Sequence, residues 1–261
     1  MMDCENADNA KILSSTFDVG CLVFLIGFRG SARPAYHSDM NYFSHAIRFL
    51  DRPVFAVATG LPDMLSVADR SVRLRSRLIK PFQETASPFE TEVASGALQH
   101  LEDDVWFHRT RAFIETSAEL TRLFRDAIGV GDGMRCSFLG HIVTELQLDG
   151  VLAERYPHLL DRYYDLIGDA DAMAIQACVN RMAARQTERL AILIPKFHQE
   201  QFLRDYTEPS RLRFRLNQVM LRVRLEQLPE VLEEALTESW RIVESRAEAL
   251  LPPEHFEFPD A

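Results

Sequence analysis

Apolar residues recur at helical spacing through most of this chain. "MNYFSHAIRFLDRP", from Met40, puts Tyr42, Phe43, Ala46, Ile47 and Leu50 at helical intervals, and Asp51-Arg52-Pro53 ends the run. "VFAVATGLPDML", residues 54–65, reads as a short buried helix bent at Gly60 and Pro62, with Asp63 just past the bend. "ADRSVRLRSRLIKPF" reads as a basic helix stopping before Pro81, and "QETASPFETE" as a loop with Ser87 or Thr91 as a helix cap. The pattern predicts one long helix over about residues 90–127, a turn at "GVGDGMR", and a second helix, "CSFLGHIVTELQLDGVLAERYP", stopped at Pro157. Further helices are expected at about 158–168, 169–193, 210–227 and 229–250, with Pro195 as punctuation and Pro229 at a first-turn position. No strand pattern runs longer than a few residues. The expected fold is all-α, a single helical domain of about seven to nine helices.

Residues 1–39 differ from the rest. Polar residues come first, then the apolar run "FDVGCLVFLIGF" at 17–28, then the loop-like "RGSARPAYHSD". The apolar run falls short of the roughly 20 residues a membrane-spanning helix needs. It has the length of a signal-peptide core, but Asp3, Glu5 and Asp8 precede it and no clean cleavage site follows. The 261 residues are 47% hydrophobic and 26% charged, ordinary for a globular chain with a sizeable core. A net charge of −10 argues against general nucleic-acid binding, which needs a basic footprint. Cys4, Cys21, Cys136 and Cys178 are widely spaced and form no framework, so a cytoplasmic location is expected.

The chemistry lies in two polar stripes. In "GALQHLEDDVWFHRTRAF", residues 96–113, His100, Asp104 and His108 stand four apart, with Asp103 three after His100. Positions i and i+4 of a helix lie about 40° apart on one face. The next helix repeats the pattern with His141, Glu145 and Asp149. Leu101, Val105, Phe107, Ile142, Val143, Leu146 and Leu148 lie between, so both helices look apolar on more than one side, as buried helices do. Buried carboxylates need partners. Histidines and carboxylates at these spacings on facing helices are how helical bundles build metal sites between core helices. His45 and Asp63 can complete such a shell, and mixed nitrogen and oxygen ligands suit manganese, zinc or iron, as one or two ions. The competing reading is a buried salt-bridge network or solvated polar faces.

Taken in order, these segments resemble a family. "MNYFSHAIRFL", "ATGLPDML" and "SGALQHLEDDVWFHRTRAF" resemble the successive motifs of acyl carrier protein phosphodiesterases. The Gly…Pro-Asp and His-x-x-x-Asp…His pattern is also similar to zinc-dependent phospholipase C. Both are helical metal-dependent phosphoesterases, the former related to the HD-type hydrolases. The resemblance covers about residues 40–157. It implies His45, Asp63, His100 and Asp104 as metal ligands, with His108 matching the phospholipase-like version. The last element departs from the phosphodiesterase pattern: Gly140 stands before His141 where an Asp is expected, and Glu145 follows at i+4. The resemblance further implies that Met40 is the start, with residues 1–39 a poorly ordered extension before a helical domain over 40–261, its motif-bearing core over 40–157 and its C-terminal helices over 158–261.

The function so implied is divalent-metal-dependent phosphodiester hydrolysis by a metal-activated water. His45, Asp63, His100, Asp104 and His141 would hold the ion. Glu145 is a ligand or general base, and His108 a ligand or general acid. The substrate would be a phosphoester, phosphopantetheine-bearing or lipid-like. Arg109, beside His108, is the candidate phosphate binder, because the planar arginine fork matches phosphoryl oxygens. Arg70, Arg73, Arg75 and Arg77 are further candidates that mostly read as a solvated face. Arg211, Arg213, Arg215, Arg222 and Arg224 are read as pairing with Glu226, Glu230 and Glu233 rather than docking an acidic partner or a phosphate tail. Trp106 and Phe107 are expected in the core, and His37, His158, His198 and His255 have no constellation around them. The alternative function is a non-catalytic helical scaffold or partner-binding protein that retains the polar stripe.

Overall fold

The computed structural model describes residues 42–129 and 133–259. Residues 1–39, Met40 as a start and the centre of the "GVGDGMR" turn lie outside the described residues. The chain is all-α as expected, with thirteen α-helices and two 3-10 segments among the described residues, more than the seven to nine predicted. No described helix is long and apolar enough to cross a membrane.

The excess comes from local breaks inside the predicted elements. The first helix, α1 (Phe43–Ala46), is one turn long and tightens into a 3-10 turn, Ile47–Phe49. The bent segment splits at Gly60 into α2 (Pro53–Thr59) and α3 (Leu61–Ala68), so Asp63 sits in the first turn of α3. The basic helix shortens to α4 (Ser76–Gln83) and carries Pro81 inside it rather than stopping before it. The long helix of 90–127 is two. α5 (Pro88–Phe107) starts at a capping box in which Ser87 and Glu90 satisfy each other's backbone N–H groups. It ends because Thr110 takes over: its Oγ1 donates to the Phe107 carbonyl and accepts from the Phe113 N–H, capping α6 (Arg111–Ile128). Gly129, at φ +108°, closes α6 in a backbone conformation that other residues resist.

The central helix α7 (Gly133–Arg155) is buried all round, with Cys136, Leu139, Val143, Leu148, Val151 and Leu152 in the core. It is followed by α8 (Pro157–Gly168), α9 (Ala172–Met182) and α10 (Leu190–Glu200), the last holding Pro195 within it. A 3-10 turn (Phe202–Thr207), α11 (Pro209–Val223), α12 (Leu232–Ser245) and α13 (Ala247–Leu250) complete the chain. One continuous core runs from Tyr42 to Phe256. The arginine run of α11 is partly neutralised as expected, but not only by the residues foreseen. Arg213 pairs with Glu233 and Glu230, whereas Arg211 and Arg215 turn to Asp205. Glu226 faces Arg135 instead.

Two close helix crossings set the frame. α5 packs on α2 at Gly96, where an added Cβ would meet the Ala58 Cβ at 2.8 Å and the Phe55 carbonyl closer still. α6 packs on α7 at Gly140, where a Cβ would lie 2.5 Å from the Ser117 carbonyl and 2.8 Å from the Thr121 nitrogen. The position where the phosphodiesterase pattern carries Asp is thus closed to any side chain, because it faces backbone. Gly140→Ala is expected to destabilise the protein by about 1–3 kcal/mol or more, read as a lower urea midpoint.

Candidate metal centre

The site begins at a helix entrance. The chain enters α1 with three N–H groups, of Tyr42, Phe43 and Ser44, that a one-turn helix cannot satisfy itself. The Asp149 carboxylate of α7 accepts all three, at 2.9, 2.9 and 2.8 Å. Burial pushes the Asp149 carboxyl above its ordinary value and these bonds pull it back, leaving it raised. Asp149 is therefore the anchor of α1 rather than a third member of a ligand stripe.

That anchor places His45 against α5. Its ring lies 4.1 Å from that of His100, tilted by 31°. His45 Nδ1 is 3.2 Å from Asp103 Oδ2, which turns Nε2 toward Asp104 at 3.7 Å. His100 Nε2 lies 3.4 Å from Asp104 and 3.9 Å from Asp63. His45, His100 and Asp104 are close enough to share one cation, with Asp63 alongside. This is the set that the resemblance implied.

His100 is the most informative member. It is 0% exposed, and neither ring nitrogen makes a hydrogen bond. The Thr59 carbonyl lies near enough to favour the protonated ring but does not reach hydrogen-bond geometry. Burial, reinforced by His45, holds its pKa well below the ordinary histidine value, so the ring is neutral and keeps a lone pair for a ligand.

Asp103 supports from behind. Besides His45 it accepts from Arg48 at 2.7 Å, Gln99 at 2.9 Å and Trp106 at 3.0 Å. Burial raises its carboxyl, but His45, Arg48 and Trp106 outweigh that and bring it to about 2. A carboxylate that orients a histidine through its remote nitrogen is the usual outer support of a metal site. Arg48 also donates to the His255 carbonyl and rests on Phe256, tying the C-terminal segment to this support.

A second group forms where α5 ends. Glu145 Oε1 lies 2.8 Å from His108 Nε2 and 3.1 Å from His141 Nε2, and these three can also hold a cation. The two rings stack at 5.1 Å, and Phe113 sets its edge against both. Glu145 is 2% exposed while His141 is 35% exposed, so this group opens to solvent where the first is enclosed. His141, expected with the first set, belongs here.

Arg109 is exposed and lines a groove with Val105, Trp106, Thr110, Glu254 and His255, rather than standing among the histidine–carboxylate groups. Trp106 is only partly in the core, and His255 does have a constellation: the two rings stack at 4.7 Å. The roles of Arg48 and Asp149 had a weak sequence signal at best. Asp149 lay in the stripe, but its partner is backbone 107 residues away. Asp149→Ala is expected to lower stability by about 3 kcal/mol, because it strands buried N–H groups; Asp149→Asn, which keeps an acceptor, should lose less in the same urea titration.

Compared with known proteins, the chain matches no family model, no curated protein and no solved structure.

Proposed function

We propose that this protein is a divalent-metal-dependent phosphoester hydrolase. The observation that carries the reading is His100, fully buried, without a hydrogen bond on either nitrogen, and facing His45, Asp63 and Asp104. Such a ring is costly to bury unless something accepts its lone pair. A cation between these four groups does so and balances the two carboxylates. The likeness to helical phosphoesterases in motif order points the same way.

The bound ion, manganese, zinc or iron by its mixed ligands, supplies a Lewis acid that acidifies water and neutralises phosphoryl charge. The residues of the chain do the rest. His45 presents Nε2 because Asp103 holds Nδ1. His100 offers a neutral nitrogen, and Asp63 and Asp104 offer oxygens beside its Nε2. Glu145, nearly buried between two imidazoles, is placed to take a proton, and the more exposed His108 to give one to a leaving oxygen. A phosphopantetheine-bearing or lipid-like ester fits this chemistry equally. The same three residues can instead bind a second ion.

The test is metal content by mass spectrometry on protein purified without chelator, with hydrolysis of bis(p-nitrophenyl) phosphate measured alongside. One or two equivalents are expected in the wild type. His100→Ala should lose the ion of the enclosed group together with activity, and Asp103→Asn should weaken cation affinity about 10–100-fold. His141→Ala should retain the enclosed ion while turnover falls. Protein that neither carries nor takes up a cation would instead favour a non-catalytic scaffold in which the stripe is a buried polar network.

A further inference from the structure

The last described stretch of the chain, residues 252–259, has no regular secondary structure and buries one side chain, Phe256, in the core. Its local order is a turn in which the His255 and Phe256 N–H groups donate to the Pro252 carbonyl. A segment with so little buried surface opens at less cost than a packed helix. Yet it lies against the outer support of the enclosed group. Arg48 spans the two: its Nη1 donates to the His255 carbonyl at 2.9 Å, and its Nη2 donates to Asp103 Oδ2 at 2.7 Å. The Phe256 ring rests on the same guanidinium, with the ring centre 5.0 Å from the central carbon.

A second route reaches the same carboxylate at its other oxygen. The His255 ring stacks on Trp106 at 4.7 Å with the planes 12° apart, and the Trp106 Nε1–H donates to Asp103 Oδ1 at 3.0 Å. Both oxygens of Asp103 thus accept from a side chain that the C-terminal segment touches. Gln99 adds a bond to Oδ1 from within α5, while Oδ2 is shared between Arg48 and His45 Nδ1. A carboxylate gripped on both oxygens resists rotation. The docking of 252–259 therefore bears on the direction in which Asp103 meets His45 Nδ1, and so on where His45 Nε2 points.

We infer that residues 252–259 are a positioning strap for the enclosed cation centre, with Arg48 and Trp106 carrying its docking through Asp103 to His45. The inference rests on the cation of the hydrolase reading and is independent of what that cation hydrolyses. Arg48, Trp106 and the strap act through the His45 ring rather than on the ion. A planar fork suits Arg48 to this task, because it reaches a carbonyl and a carboxylate at once, whereas a lysine ammonium is a single point on a flexible stem. Linkage makes the effect reciprocal: a segment whose docking raises cation affinity is itself held down when the cation binds.

The test compares the full chain with Phe256→Ala, Arg48→Lys and Trp106→Phe. Manganese affinity is read by calorimetric titration, stability by thermal unfolding, and exchange of the His45 Nδ1 proton by nitrogen-15 NMR on metal-free protein. Phe256→Ala leaves every donor to Asp103 in place and should still bind manganese roughly 3–30-fold more weakly. Arg48→Lys keeps the charge and Trp106→Phe keeps a stacking ring, and each should weaken manganese binding over the same range. The His45 Nδ1 proton should exchange faster in all three variants than in wild type, and manganese should slow exchange of the wild-type His255 and Phe256 amides. If Phe256→Ala does not fold, Arg48→Lys and these wild-type amides decide. Variants that melt at a lower temperature yet keep wild-type manganese affinity and ring-proton exchange would overturn the proposal: the segment would be packing alone, with the cation reading intact. Wild type that takes up no cation, while the His45 ring proton still responds to the variants, would remove the hydrolase reading and keep the strap as what orients His45.

Discussion

The Asp149 carboxylate, buried and accepting the first three N–H groups of α1, is the interaction on which the rest of the site depends. A four-residue helix cannot hold itself in water, since nucleation is unfavourable and its end groups are unsatisfied. Here a charged acceptor from the central helix does both jobs: it satisfies the donors and complements the positive end of the turn. His45 sits in that same turn, so its ring is placed only as well as the cap is made. One carboxylate on α7 thereby fixes a histidine against α5, and three helices meet around the enclosed group.

Polar groups in such a position must satisfy one another in layers. Asp103, nearly buried, takes bonds from Arg48, Gln99, Trp106 and His45 and stays ionised. Asp104, one residue on and about 100° round the helix, faces the Nε2 atoms of both imidazoles. A neighbouring pair of acids is thus split by the helix turn into an outer support and an inner ligand-type group. The second group, Glu145 between His108 and His141, lies where α5 gives way to α6, and its exposure rises outward from Glu145 to His141. Both groups bring three ligand-type atoms within reach of one cation, the first enclosed and the second open to solvent.

Close helix approach makes this arrangement possible. Gly96 lets α5 lie on α2, which brings the Thr59 carbonyl and the start of α3 up to His100. Gly140 lets α7 lie on α6, which sets His141 under Phe113. The same contact leaves no room for a side chain at position 140, and the acidic residues of that helix begin further on, at Glu145.

The all-α class was legible from apolar spacing alone, and so was the grouping of His45, Asp63, His100 and Asp104, because their motifs are local and the i, i+4 rule is geometric. The helix count was not, because breaks at Gly60, at Thr110 and after Met182 depend on caps and turns that a periodicity of apolar residues does not register. Which polar residue meets which was decided only by the tertiary structure. Spacing put Asp149 in line with Glu145, but its partners are backbone N–H groups far away in sequence. Spacing put Arg109 next to His108, but the helix ends there and its side chain lines another groove. Arg222 looked like its neighbours, but the fold buries its Nε without a hydrogen-bond partner where Arg211, Arg213 and Arg215 meet carboxylates. Sequence carries residue types and local faces; the partner of a buried charge is a property of the packing, since only packing decides what lies across from it.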